Sequence, residues 1–230
     1  MKIGTPLEDG SSMKRNIQSI GFILLISITG LQSFGQKTQV YDLPARVRHH
    51  LLEPAKPGNS IAVLDTAAFP AVSCQGLFWL TGAAFSEGTI EVDLRGKNIL
   101  LRSFLGIAFH GIDSAVYDVV YFRPFNFRNA DTARHNWGVQ YMSLPDFPFD
   151  KLRKEHPLEY ERAVIPVPFP DDWFHARIVV NRDSILVYVN HATDYCLKVP
   201  IISTRHNGKI GIWADELPED FANLKITENK

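Results

Sequence analysis

Apolar and polar residues alternate through much of the C-terminal half of the chain. The clearest stretch runs from Trp173 to Asn190, two alternating runs separated by the turn Arg182-Asp183-Ser184. It is followed by Gly208-Lys-Ile-Gly-Ile-Trp-Ala-Asp215 and Phe221-Ala-Asn-Leu-Lys-Ile-Thr227. Earlier in the chain, Gly88–Arg95 places Ile90, Val92 and Leu94 on one side and Glu91, Asp93 and Arg95 on the other. Alternation with a period of two is the mark of a strand that buries one face. The same reading predicts strands over 60–64, 76–80, 104–110, 115–123, 136–143, 173–182, 185–190, 195–199, 209–214 and 221–227. In the 104–110 strand, Leu105, Ile107 and Phe109 share one face; Gly106, Ala108 and His110 share the other.

A long insertion spans about 124–172. Its prolines (Pro145, Pro148, Pro157, Pro166, Pro168 and Pro170) disfavour helix interiors and central strands. One helix is predicted, over 149–155. Many short strands, little helix and turn-rich connections predict an all-β fold, a two-sheet antiparallel jelly-roll sandwich with one long Pro-rich insertion. A long loop in such a domain points to function at its edge.

The ends and the charge narrow the picture. Met13-Lys14-Arg15 is a basic start and Ile20–Ile28 is nearly all apolar. Ser33-Phe34-Gly35 supplies small residues for a peptidase cut before Gln36. The apolar run is shorter than the roughly 20 residues a spanning helix needs, so a cleaved export signal is favoured over a membrane anchor. Residues 1–35 are thus read as a signal region, 36–58 as an irregular N-terminal arm, and 59–230 as the domain. The expected location is periplasmic or extracellular. No later segment is long and apolar enough to span a bilayer. A net charge of −1 provides no field to draw nucleic acid or an anionic membrane. An exported chain permits a bridge between Cys74 and Cys196, and two buried thiols are the alternative.

The strands Gly88–Leu94, Leu105–His110 and Tyr117–Arg123, and later Trp173–Val180, Val187–Asn190 and Gly208–Trp213, resemble the concanavalin A-like lectin/glucanase superfamily. The laminin-G-like and 3-keto-disaccharide hydrolase-like domains are the branches they resemble most, over about 60–228. The resemblance implies a jelly roll with a concave, carbohydrate-facing surface. It also implies the alternatives: a glycoside hydrolase, glucanase-like or acting on 3-keto-glycosides, or a laminin-G-like module that meets a cell-surface protein.

Hydrolysis of a glycoside needs two carboxyls flanking the bond. Glu91 and Asp93, two apart on one strand, are the candidate pair, with His110 as a candidate base. In the glucanase pattern Glu-x-Asp-x-x-Glu the third place here is Gly96, which favours binding without turnover. Tyr121, Arg123, Asn126 and Gln140, with His135 and Tyr141 nearby, form the candidate ligand-binding set. Sugars are held by aromatic faces and by planar donors and acceptors. The structural alternative for Arg123 is an ion pair with Glu91 or Asp118. No cofactor is expected and no histidine spacing suggests zinc. Some laminin-G-like domains hold calcium, for which Asp113, Asp118, Asp215 and Glu216 are the available carboxylates. Trp79, Trp173 and Trp213 are assigned to the core. The preferred reading is an exported domain that recognises carbohydrate.

Overall fold

The computed structural model describes Met1, residues 36–65 and residues 68–229. The export-signal reading falls on residues outside these. Among the described residues no helix is long and apolar enough to cross a membrane.

The arm is more regular than expected. It holds β1 (Lys37–Tyr41), α1 (Leu43–Arg48), β2 (Leu52–Pro54) and, just beyond it, β3 (Ser60–Val63). Asp42 caps α1 by accepting a hydrogen bond from the Ala45 N–H at 2.9 Å, and Pro44 sits in the first turn, where its missing N–H costs nothing. β1 is tied antiparallel to the C-terminal strand, from Lys37 opposite Glu228 to Tyr41 opposite Leu224.

The body continues with β4 (Ala71–Phe85), β5 (Gly88–Arg95), β6 (Phe104–Gly111), β7 (Tyr117–Phe122), α2 (Pro124–Phe127), α3 (Thr132–His135) and β8 (Val139–Leu144). Then come α4 (Phe149–Glu155), β9 (Glu161–Arg162), β10 (Phe174–Val180), β11 (Ser184–Val189), β12 (Leu197–Pro200) and β13 (Gly208–Glu228). All strand pairings are antiparallel.

Two layers result. One runs β12-β11-β10-β5 onto the second half of β13, and the other runs from the first half of β13 through β6, β7 and β8 to β9. β4 and β13 pass together from one layer to the other. Segments expected as separate strands, 209–214 and 221–227, are therefore two halves of β13, joined across a register shift between Ala214 and Glu219. Glu216 turns the corner with φ +70, and on the partner strand Gly76 does so with φ +101. A Cβ at Gly76 would lie 2.3 Å from the Asn59 side chain.

Alternation places the core as anticipated. Ile90, Val92 and Leu94 are buried, as are Phe174, Ala176, Ile178 and Val180 of β10 and Ile185, Val187 and Val189 of β11. Phe174 meets Phe122 of the other layer and Phe127 of α2, with ring centroids 5.1 and 5.3 Å away. Each such side chain contributes roughly 1.5–3 kcal/mol by leaving water. Cys74 and Cys196 are separate buried thiols, so the bridge is not formed. Burial pushes both up, Cys196 to about 11, and nearby Glu219 and Asp220 add to the effect at Cys74.

The insertion is not one loop. β8 pairs with the whole of β7, and β9 adds outside it with Glu161 opposite Gln140. α4 forms over 149–155, as the sequence predicts.

Candidate functional site

The outer face of the β4-β13-β6-β7-β8 layer carries a trough. Its floor follows from register. Leu77 lies opposite Trp213, Trp213 opposite Gly106, Gly106 opposite Tyr121, and Tyr121 opposite Gln140. Paired residues share a face, so these five form one row across the layer. The missing side chain at Gly106 lets Trp213 and Tyr121 meet, with centroids 5.2 Å apart and planes at 63°. The next row contains Gly211 and Ala108, again small, flanked by Trp79 and by Val119 and Met142. Small residues in the middle and large ones at the sides hollow out the face.

The trough has two lobes that share Met142, Phe149, Trp213 and Asp215. The larger, about 360 Å³, adds Lys56, Asn59, Ser114 and Tyr117. The smaller, about 180 Å³, reaches Leu101, Phe104, Tyr121, Arg123 and Arg153. α4 supplies one wall through Phe149; residues 55–59 supply the other. Partial burial raises the Asp215 carboxyl above its ordinary value; the Glu216 N–H lowers it and the Glu216 charge raises it again. Burial likewise raises the Tyr117 phenol, against the Trp213 N–H and with the Asp215 charge.

The predicted ligand-binding residues are brought together, but inside. The open polar face expected of Tyr121, Arg123, Asn126, Gln140 and Tyr141 is corrected: their exposures are 2, 4, 1, 0 and 0 %. Tyr121 and Arg123 reach the bottom of the smaller lobe. Gln140, on the same face, is sealed by its neighbours. The Tyr121 hydroxyl donates to Gln140 Oε1 at 2.7 Å, and Arg123 Nη2 donates to both of those oxygens. Arg123 Nη1 donates to the Trp137 carbonyl at 3.1 Å and to Glu161 Oε2 at 3.4 Å. Asn126 Nδ2 also donates to the Trp137 carbonyl, at 3.2 Å. Tyr141 alternates with Gln140 and so points into the core, stacking on Phe109 at 6.4 Å. Burial, then the Asp118 charge, drives its phenol far up. His135 ends α3 and is half-buried, away from this network.

Glu161 is the reason for the burial. β9 lays it beside Gln140, and Arg153 of α4 grips it from outside through Nε and Nη2 at 2.8 and 2.7 Å. Arg123 therefore pairs with Glu161, not with Glu91 or Asp118. Burial lowers the Arg123 pKa, with the Arg153 charge working in the same direction. Burial pushes the Tyr121 phenol up to about 12 despite the adjacent Arg123.

The candidate catalytic residues do not meet in the trough. Glu91 and Asp93 lie on the outer face of the other layer, and each is engaged. Asp93 accepts from His175 Nδ1 and Asn223 Nδ2, both at 2.7 Å, and Glu91 pairs with Lys225 at 2.5 Å. Partial burial pushes the Asp93 carboxyl up, but the bonds from His175 and Asn223 and the His175 and His191 charges outweigh it, leaving the pKa lowered. His110 is 1 % exposed. A backbone φ of +50 turns it inward, where its ring contacts Asp118 Oδ2 at 2.9 Å and the Ser86 carbonyl at 2.8 Å. It has no free nitrogen for base work.

The calcium candidates are also divided. Asp113 caps a turn by accepting from Ala115 and Val116, and Asp118 is spent on Arg205 at 2.6 Å and on His110. Asp215 lines the trough, and Glu216 pairs with Arg102 at 3.5 Å. Among the described residues no three His, Cys, Asp or Glu side chains gather so as to hold a metal ion.

Sequence reasoning missed Trp213, Tyr117, Phe149 and Arg153 as trough residues. One signal was present: Trp213 and Asp215 alternate around Ala214, as Tyr117 and Tyr121 share a strand face. Which face was open could not be read from alternation, because both faces of β6 and β7 are largely buried.

No protein-family model matches the chain, and no curated protein does. Solved structures do. A candidate glycosyl hydrolase from Parabacteroides distasonis superposes with TM-score 0.53 at 12 % identity, covering 83 % of this chain and 98 % of that one. A galectin-like protein of unknown function from Bacillus subtilis gives 0.50 at 11 % identity, covering 85 % and 98 %. The fold is a galectin-like jelly roll. A carbohydrate-binding module from Bacillus subtilis is also similar, with TM-score 0.49 and 16 % identity over 74 % and 95 % of the two chains. At these identities the first two likenesses speak for the jelly-roll sandwich and no further.

Proposed function

We propose that this protein binds carbohydrate in the trough and does not turn it over. The observation that carries the reading is the pairing of Trp213 and Asp215 on one strand: an aromatic face and a carboxylate open into one concavity. Sugar rings stack their C–H faces on aromatics and donate hydroxyls to a carboxylate. Lys56 and Asn59 add donors on the far side. A cavity of this size, apolar-floored with few polar groups, is the usual form of a small-ligand site. A candidate glycosyl hydrolase shares this architecture, a fold-level analogy in keeping with a saccharide ligand.

The number of carboxylates in the trough supports binding without turnover. Two are needed about 5–10 Å apart across the scissile bond. Asp215 is the one acidic side chain lining the trough among the described residues. Glu91 and Asp93, the pair sequence suggested, are on the other layer and already paired. The export character of residues 13–35 supports an encounter in the periplasm or outside the cell.

The test is a glycan array followed by calorimetry on wild type, Asp215→Asn and Phe149→Ala. Sugar binding that weakens at least about tenfold in both variants supports the reading. Binding that both variants leave untouched places the sugar elsewhere; release of product from a bound oligosaccharide overturns the non-catalytic part.

A further inference from the structure

The two lobes differ in chemistry. Lys56, Asn59, Ser114 and the Tyr117 hydroxyl line only the larger one. The smaller is walled by hydrocarbon and aromatic rings: Leu101, Phe104, Tyr121, Met142, Phe149 and Trp213. Most of its wall is carbon, so a bare sugar ring seated there would press many hydroxyls on carbon, with only Arg123, Arg153 and Asp215 to replace bonds to water. At about 180 Å³ the lobe is close to the roughly 150 Å³ at which an apolar cavity takes up benzene.

Two further features mark it as an apolar contact waiting for its occupant. Leu101 and Phe149 both line this lobe, yet they are 59 % and 48 % exposed. They come from different elements, the β5–β6 loop and α4, and both form part of its rim. Leu101 holds φ +60, a backbone state that branched residues rarely adopt. At the base, Arg123 and Arg153 both pair with Glu161, so one carboxylate is divided between two guanidiniums. Arg153 uses Nε and Nη2 on Glu161, and Nη1 has no protein acceptor among the described residues.

We propose that the smaller lobe holds an aromatic ring carried by the sugar, as an aryl glycoside or aryl ester, between Leu101, Phe149 and Trp213. A polar atom on the ring's edge accepts from Arg153, and the sugar lies in the larger lobe. This assignment rests on the trough being the sugar site and adds the class of ligand. Enclosing one aromatic ring strengthens binding roughly tenfold or more over the bare sugar.

The experiment is calorimetry with matched 4-nitrophenyl and methyl glycosides of glucose, galactose, mannose, xylose and arabinose, and with 4-nitrophenol alone. Wild type is compared with Leu101→Asn, which tolerates positive φ and removes the apolar lip of the smaller lobe only. The expected result is a nitrophenyl glycoside bound about tenfold tighter than its methyl partner. In Leu101→Asn that advantage should shrink while methyl glycoside affinity holds. Equal affinity for both members of a pair overturns the aromatic lobe and leaves the sugar reading standing. Binding of 4-nitrophenol as tight as any glycoside keeps the aromatic lobe and removes the sugar. No binding of any probe overturns both.

Discussion

Arg153 of α4 holds Glu161 of β9 with two parallel hydrogen bonds, 2.8 and 2.7 Å long, over a carboxylate that is itself 1 % exposed. This contact fastens the helix that walls the trough to the strand that edges the layer. Behind it lies Arg123, which depends on the same carboxylate.

Removing that carboxylate should be costly. Glu161→Gln leaves Arg123 buried without a counter-charge and loosens α4. Breaking a buried pair from one side costs about 3–5 kcal/mol. Urea unfolding should show a loss of this order. A loss under about 1 kcal/mol would mean that Arg123 is not held in this way.

Glu219 predicts a pH dependence of stability. It is 0 % exposed, and Lys97 Nζ lies 3.5 Å away. Burial pushes its pKa from 4.5 up to about 7, against the Lys97 charge. A raised acid pKa contributes stability that is fully present below the unfolded value and lost as pH rises through the folded one. Between pH about 5 and about 8 this group should remove on the order of 2–3 kcal/mol. Glu219→Gln should flatten that slope in thermal melts across the range; an unchanged slope would contradict the assignment.

Glu91→Gln and Asp93→Asn should leave glycan affinity as it is, because both carboxylates face away from the trough layer. Their cost in stability should stay under about 1 kcal/mol, as they are partly solvated. The lowered Asp93 pKa contributes stability above the unfolded value and gives it up only as pH falls through the lower folded one. Loss of sugar binding in either variant would return the site to this face.

Asp215 predicts the pH profile of binding itself. Its carboxyl is raised, chiefly by partial burial, and it accepts the stronger, charge-assisted hydrogen bonds through both oxygens only when ionised. Affinity should therefore fall on acidification at a pH above that of an ordinary aspartate. In Asp215→Asn the remaining affinity should be flat across that interval when measured by calorimetry.

Alternation along single strands was enough to establish the sandwich. Ile90, Val92 and Leu94 point inward and Glu91, Asp93 and Arg95 outward because successive side chains on a strand must take opposite sides. The same local rule brought Tyr121 and Arg123 onto one face. It could not show that 209–227 is one strand bent between layers, since the corner at Gly76 and Glu216 arises from pairing over long separations. Nor could it show that Arg123 is covered. That depended on Glu161, placed by β9 opposite Gln140, and on Arg153, placed by a helix packed over them. Local periodicity says which side of a ribbon a residue takes; whether that side meets water or protein is settled by what folds back over it.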